Sequence, residues 1–324
     1  MKHCFIINPA AGQGNAESVL LPKIMSAVKS AGVSYEIHRT INVGDGESHV
    51  RDICQSASDS PVRFYSCGGD GTLNEVVSGA YGCPNAEVAC IPAGTGNDFV
   101  RMFTDRKAFL DIGAMIEGVP VPVDVLEYRI LGEFASRFVT GSPPKTSGYA
   151  VNMLNMGFDA NVVTRTQTLK KKPLLGGTGA YIAGVVSELA RMRKLDVKVA
   201  FDGGEPYDAR LLLAGIGNGR YSGGGFNGIP MAEIDDGYMD VLMVKMMTRR
   251  VFAKFVKSYH DGVHIGKPEM AAYLMHVRCK EMEIETEEET DLAVDGETCG
   301  VRGKVKFAVA DEQIRFVLPK GLIQ

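Results

Sequence analysis

The stretch Val62–Glu75 constrains the fold more than any other. Val62-Arg63-Phe64-Tyr65-Ser66 alternates and is rich in β-formers, so it reads as a strand. Leu73, Val76, Val77 and Ala80 follow at helical spacing. Between them lies Cys67-Gly68-Gly69-Asp70-Gly71-Thr72-Leu73-Asn74-Glu75. Thr72 with Glu75 three residues on is a capping-box pattern and places the helix start there. A glycine turn between a strand and a helix N-terminus offers free backbone N–H groups and a dipole that favours an anion. Glycines let a phosphate come close, because no Cβ stands in the way. Asp70 opposes an anion unless it meets a metal ion or orients a nucleophile or a water. A nucleotide polyphosphate with Mg2+ satisfies both conditions.

Two further glycine turns follow strands in the first half. His3 to Ile7 reads as a strand, then Asn8-Pro9-Ala10-Ala11-Gly12 turns into a helix with Leu20, Ile24, Ala27, Val28 and Ala31 on one face. Tyr35 to Arg39 is a second strand, ended by Thr40, and Gly46 to Ala57 a helix. Glu87 to Ile91 is another short strand, followed by Pro92-Ala93-Gly94-Thr95-Gly96-Asn97-Asp98, where Asn97 and Asp98 can cap the next helix. Such alternation implies a parallel sheet covered on both faces. Ligands on such sheets bind beyond the carboxyl ends of the strands, so the turns should meet along one edge. Val119 to Val125 carries two prolines at alternate positions, which suits an edge strand or a crossing linker. Asp124 among valines needs a partner if buried.

From about residue 127 the pattern changes to closely spaced strands: Phe134 to Val139, Tyr149 to Met156, Val197 to Phe201, Ala209 to Ile216, Met239 to Met246 and several after Met282. Helical patches fall at Tyr181 to Met192 and Val251 to Tyr259, and residues 141–145 form a loop. Three features there carry chemistry. Glu233-Ile234-Asp235-Asp236-Gly237-Tyr238-Met239-Asp240 puts carboxylates in a glycine turn, as Mg2+ or Ca2+ requires, and reads equally as a solvated acidic turn. Val294-Asp295-Gly296-Glu297 can set two carboxylates on one side of a turn, where one acts as general base towards a hydroxyl. The acidic run Glu285 to Glu289 upstream reads as a solvated loop. Arg165, Lys170, Lys171 and Lys172 form a basic cluster that suits an anionic surface, at ~1 kcal/mol per charge.

With 324 residues, two domains are expected, and a net charge of −4 gives no reason to invoke nucleic acid. No apolar run approaches the ~20 residues of a membrane-spanning helix. The N-terminal apolar run is too short for a signal peptide. The seven cysteines include no C-x-x-C pair, which argues for reduced thiols and a cytoplasmic protein.

Gly68–Thr72 and Gly94-Thr95-Gly96-Asn97-Asp98-Phe99-Val100-Arg101 resemble the GGDGT and GTxNDFxR signatures of the diacylglycerol kinase catalytic domain family. Soluble bacterial lipid kinases, sphingosine kinases and ceramide kinases belong to that family. Asn8–Gly12, Glu233–Asp240 and Asp295–Glu297 are similar to its NPxSG, LDDGxxD and DGE segments, with Ala11 in place of a Ser or Gly and Ile234 in place of a Leu. The resemblance implies an α/β N-terminal domain with a parallel sheet (NAD kinase/diacylglycerol kinase-like) over residues 1–126, to which 311–324 return. It implies a mainly antiparallel β-sandwich domain over 127–310. It implies an ATP-dependent lipid kinase using Mg2+, with diacylglycerol as the first-choice substrate. Asn8, Pro9, Ala10, Ala11, Gly12, Thr40, Gly68, Gly69, Asp70, Gly71, Thr72, Leu73, Asn74 and Thr95 would serve the nucleotide, and Arg101 would face the phosphates or the head group. Asp236 with the backbone carbonyls of Glu233 and Tyr238 would hold a structural Mg2+, while Asp98, Asp124 and Asp235 would form an active-site carboxylate network. Asp70 would act in catalysis. Asp295 and Glu297 would be the acidic pair that deprotonates the lipid hydroxyl, and the residues alone do not rank them. A substrate held in the bilayer implies peripheral contact at the inner membrane surface through the basic cluster, and a homodimer is compatible with this. An NAD kinase-type enzyme shares Gly-Gly-Asp-Gly, and a lipid-binding relative without catalysis would share the fold.

Overall fold

A computed structural model describes residues 1–56, 60–138, 145–170 and 177–322. Ala57, Val139, residues 141–144, Lys171 and Lys172, named above, lie outside them. The chain divides into two compact units, Met1–Val125 with Asp311–Gln324, and Leu126–Ala310.

The first unit runs β1 (Lys2–Ile7), the single turn α1 (Ala11–Gly14), α2 (Ala16–Ala31), β2 (Ser34–Arg39), α3 (Asp45–Ser56), β3 (Val62–Gly68), α4 (Asp70–Ala80), β4 (Ala86–Pro92), α5 (Ile112–Ile116) and β5 (Val119–Val123). The second runs β6 (Leu126–Ile130), β7 (Glu133–Phe138), β8 (Ser147–Ala150), β9 (Met153–Gly157), α6 (Phe158–Lys170), α7 (Gly177–Arg191), β10 (Leu195–Phe201), β11 (Tyr207–Gly217), β12 (Tyr221–Ser222), β13 (Phe226–Asn227), β14 (Met239–Lys245), α8 (Arg249–His260), β15 (Leu274–Cys279), β16 (Glu281–Val294) and β17 (Glu297–Val309). The chain then returns to the first unit as β18 (Ile314–Leu318).

The first sheet has the order β2-β1-β3-β4-β18-β5. Its first five strands are parallel, and β5 pairs antiparallel with β18 at the edge. Every residue of β3 is buried, as expected of a strand covered on both faces. Pro120 and Pro122, at alternate positions of the edge strand, put their missing N–H groups on one side, where no ladder bond is lost. Arg63 of β3, buried beside Glu87 at 2.7 Å, donates to the carbonyls of Met115 and Ile116 at the end of α5 and of Gly118 beyond it. The charge is thus paired and its donors are used, the condition for burying an arginine.

The start of α4 differs from the capping-box expectation. The helix begins at Asp70 with Gly69 as its extended cap residue. The Thr72 hydroxyl accepts a hydrogen bond from the Asn8 side-chain Nδ2 (3.3 Å), and Glu75 accepts from the N–H groups of Gly44 and Gly46 (2.8 and 2.9 Å). The Glu75 carboxylate therefore serves the N-terminus of α3, where the helix dipole favours a negative charge.

The second unit is built on a ten-stranded sheet whose pairings among the described residues are antiparallel. Leu154, Met156, Val199, Ile284 and Phe307 lie in its main apolar cluster. Two expectations fail here. The run Tyr149 to Met156 is two strands, because the N–H groups of Val151, Asn152 and Met153 are taken by a carboxylate rather than by a ladder. The acidic run Glu285–Glu289 lies within β16, where the register slips between Thr286 and Thr290 and leaves Glu287, Glu288 and Glu289 exposed. The helix α6 has no counterpart in the sequence reading, since its apolar residues form no clear stripe. Among the described residues no helix is long and apolar enough to cross a membrane.

Candidate active site

In the first unit, Asn8, Thr40, Gly69 and Ala93 follow the carboxyl ends of β1, β2, β3 and β4, which are adjacent in the sheet. Asn8 closes the first turn with its side chain, accepting from the Ala10 amide at 3.0 Å. Gly12 (φ 60°) and Gln13 (φ 63°) then reverse the chain in the left-handed region. A Cβ on Gly12 would stand 3.1 Å from the Ala93 carbonyl, so the first turn lies close against the third. Thr40 donates from its amide to the Ile7 carbonyl at 2.9 Å.

The β3–α4 turn and the turn after β4 touch backbone to backbone. The Gly68 carbonyl accepts from the amides of Ala93 and Gly94 (2.7 and 3.0 Å). A Cβ on Gly94 would lie 2.5 Å from the Gly69 Cα, a separation that backbone atoms cannot relieve. These two glycines are required first by each other. The Asp70 carboxylate completes the joint, accepting from the amides of Asn97 (2.8 Å) and Asp98 (2.7 Å). Burial pushes the Asp70 carboxyl above the usual carboxylate range, and those backbone donors pull it back. A Cβ on Gly96 would meet the Asp70 Oδ2 at 2.6 Å. Asn97, expected to cap the next helix, instead holds positive φ (50°) and exchanges hydrogen bonds with the Gly94 backbone.

The expected nucleotide residues divide by exposure. Thr95 is exposed, and Asn8, Pro9, Ala11, Gly12, Thr40, Gly69, Asp70, Gly71 and Asn74 are half-buried. Ala10 is exposed and Gly68 buried. Leu73 is only 2% exposed and packs in the core, so its side chain is closed to a nucleotide, contrary to expectation. Arg101 donates to the Gly96 carbonyl and pairs with Asp98 at 3.1 Å, which directs its charge inward rather than to a phosphate. Asp124 is buried and accepts from Gln313 of the returning segment at 2.9 Å. Asp98 and Asp124 thus each have a partner other than a carboxylate.

In the second unit the acidic pair separates into two roles. Asp295 and Gly296 both have positive φ (44° and 92°), the requirement of the two-residue hairpin loop that Asp-Gly favours. They join β16 to β17. The buried Asp295 carboxylate accepts from Val151 (3.0 Å), Asn152 (3.1 Å) and Met153 (2.9 Å). Its oxygens are committed to backbone. Glu297 opens β17 and is exposed. Gln167 of α6 donates to the Gly296 carbonyl at 3.0 Å and accepts from Thr298, bracketing the hairpin loop. No signal in the sequence pointed to Gln167, because the helix that carries it was not anticipated.

The turn before β14 departs from its expected chemistry. Asp236 accepts from the Tyr238 amide at 2.9 Å, and its other oxygen is paired with Arg278 of β15. The Arg278 guanidinium lies over the Tyr238 ring at 4.4 Å. Both oxygens of Asp236 are engaged within the protein, and Arg278 supplies the positive charge that an ion would have brought. A divalent ion would have to displace that guanidinium, so this arrangement does not fit the Mg2+ site expected from Glu233, Asp236 and Tyr238. Asp235 is exposed. In the basic cluster, Lys170 ends α6, and Arg165 is half-buried with its Nε enclosed.

Residues 2–128 match the diacylglycerol kinase catalytic domain, and residues 152–317 match the YegS C-terminal NAD kinase beta sandwich-like domain. A diacylglycerol kinase of Staphylococcus carnosus is 28% identical over 98% of this chain and 95% of its own. A probable lipid kinase YegS-like of Chromohalobacter salexigens is 28% identical over 88% of this chain and 85% of its own. A crystal structure of a diacylglycerol kinase from Bacillus anthracis shares the fold, with a TM-score of 0.66 at 22% identity over 99% of this chain and 98% of that one. The α/β unit with its parallel sheet and the antiparallel sandwich-like unit are those of this family. Its kinases use ATP, typically with a divalent metal. The chain joins a diacylglycerol kinase catalytic domain to a YegS C-terminal NAD kinase beta sandwich-like domain, belongs to the family that this second domain defines, and is a lipid kinase.

Proposed function

We propose that this kinase transfers the γ-phosphoryl group of ATP to the free hydroxyl of diacylglycerol, giving phosphatidic acid and ADP. The observation that carries the reading is the joint between the two glycine turns of the first unit. Gly69 and Gly94 are in contact and Asp70 fastens one turn to the other. The turns at the carboxyl ends of adjacent strands then present backbone donors and the exposed Thr95 to a polyphosphate. Relatives named diacylglycerol kinase that align over nearly the full length favour this acceptor.

Phosphoryl transfer depends on positioning and charge neutralisation more than on covalent chemistry. A Mg2+ brought with the nucleotide would offset phosphate charge; the Asp236 turn is not assigned to it. On the acceptor side, Glu297 takes the hydroxyl proton, the hydroxyl oxygen forms its bond to the γ-phosphorus, and ADP leaves with the electron pair of the broken P–O bond. Asp295 is the positioning residue, since its carboxylate sets the hairpin from which Glu297 projects. The protein is proposed to work in the cytoplasm at the inner membrane surface. Lys170, Lys171 and Lys172 are proposed to attract anionic lipid, with a smaller share from the half-buried Arg165. Turnover of diacylglycerol, phosphatidylglycerol, sphingosine and ceramide in the same mixed micelles tests the substrate. The highest kcat/KM should fall to diacylglycerol; a tenfold preference for another lipid would reassign it.

A further inference from the structure

A cluster of metal-ligating side chains lies within the first unit on β1, β2 and α3. Cys4 of β1 and Glu36 of β2 are register partners on adjacent parallel strands, so both side chains leave the same face of the sheet. His49 of α3 reaches that face. Its Nε2 is 3.0 Å from Glu36 Oε1 and 4.0 Å from Cys4 Sγ. The three ligand atoms all lie within 4.8 Å of one another. We propose that Cys4, Glu36 and His49 bind a divalent cation of the zinc type, through one thiolate, one imidazole and one carboxylate oxygen.

The spacing fits the ion. Zinc bonds of about 2.3 Å to sulfur and about 2.0–2.1 Å to nitrogen and oxygen, set tetrahedrally, separate nitrogen from oxygen by about 3.4 Å and sulfur from nitrogen by about 3.6 Å. The observed separations differ from these by about 0.4 Å, a shift that side-chain torsions supply. The donor set selects the metal, since thiolate and imidazole suit zinc and disfavour Mg2+.

The surroundings are also those of a metal site. Lys2 Nζ pairs with Glu36 Oε2 at 2.6 Å, which leaves Oε1 directed at His49. The His38 ring stacks on His49 with centroids 3.8 Å apart, and Asp45 holds His38 at 3.0 Å. That stack restricts the plane of the liganding imidazole. Cys4 is fully buried, whereas the side chains of Glu36 and His49 are 35% and 23% exposed, so a fourth ligand of the ion would come from the solvent side. Binding displaces the thiol proton to solvent and ties α3 to the edge strand β2. Cys4 lies in mid-strand rather than in the turn at Asn8, so this site is separate from the nucleotide turns.

Cobalt reports on such a site directly. The full-length, reduced, metal-free protein is titrated with Co2+, and Zn2+ is then added. The parent should develop a near-ultraviolet thiolate-to-cobalt charge-transfer band at one equivalent, and Zn2+ should abolish it. Cys4→Ala should lack the band. Loss of an outer partner weakens metal binding by about 10–100-fold, so loss of the ligand in His49→Gln should weaken it at least about tenfold. His49 is partly exposed, so this variant carries the test if Cys4→Ala fails to fold. A parent without the band overturns the proposal. So does a band undiminished in Cys4→Ala, which would place the ion on other cysteines, or an unchanged affinity in His49→Gln.

Discussion

Replacing Asp295 by Asn separates the two carboxylates of the hairpin. The Asp295 carboxylate accepts three backbone N–H groups, at 3.0, 3.1 and 2.9 Å, and is buried. Asn tolerates the positive φ, so no backbone strain is added. It keeps one acceptor oxygen, sets an NH2 group against amides that also donate, and removes the charge. Hydrogen bonds to a charged group contribute about 1.5–3 kcal/mol each, and leaving a buried donor unpaired costs about 1–3 kcal/mol. A net loss of about 3 kcal/mol lowers Tm by about 6–12 °C in a domain of this size. The exposed Glu297 predicts the opposite pattern. Glu297→Gln should melt within about 2 °C of the parent, as surface changes do. Its kcat should fall by about 10²–10⁴, the usual contribution of a general base. Circular-dichroism melting and steady-state turnover on the same preparations measure both. The division of roles is refuted if Asp295→Asn melts like the parent while losing turnover and Glu297→Gln retains full activity.

Gly94→Ala forces a Cβ to within 2.5 Å of the Gly69 Cα, so it should raise the KM for ATP and lower Tm; an unchanged KM would show that the joint between the turns does not form the nucleotide site. With Arg278 neutralising Asp236, the parent should melt at the same temperature with and without millimolar Mg2+, and Arg278→Ala should gain a Mg2+-dependent rise, because a ligand of the native state stabilises it. A rise in the parent that Arg278→Ala does not exceed would restore the metal reading of this turn. Burial holds His3 and His264 down to about 4, below the unfolded value of about 6.5, so the unfolded chain binds more protons between those limits. Stability is full above that window and falls as pH drops through it, by about 2 kcal/mol per histidine at pH 5. Asp159, pushed up to about 6 by burial, takes its proton first in the folded state and returns about 1 kcal/mol. Tm should therefore fall from pH 7 to pH 5, and a rise would contradict these burials.

The β3–α4 turn was legible because its signals are local: a strand pattern, three glycines and a helical spacing within one short stretch. The edge position of β5 was legible from Pro120 and Pro122 for the same reason. What the sequence hid is the partner of each polar group. Thr72 and Glu75 have the spacing of a cap, yet their partners are Asn8, Gly44 and Gly46, far away in the chain. Asp295 and Glu297 cannot be ranked by spacing, because the distinction rests on amides at 151–153 that only folding brings to Asp295. The acidic turn at Asp236 looked like a metal site because Arg278 arrives from a neighbouring strand. Arg63, an arginine inside a β pattern, gave no hint of its buried pairing with Glu87 or of the helix end it satisfies. Backbone geometry shows afterwards what composition could not. Among the described residues, three of the five non-glycine residues at positive φ (Gln13, Asn97 and Asp295) sit in the turns assigned to the reaction.

Transfer of the label from γ-³²P-ATP, with diacylglycerol micelles and NAD offered together, tests the central claim most directly. Labelled phosphatidic acid formed by the parent, its rate reduced at least about a hundredfold in Glu297→Gln, with no label in NAD, is the expected result. Label in NAD, or none in any lipid while ATP is consumed, would contradict it.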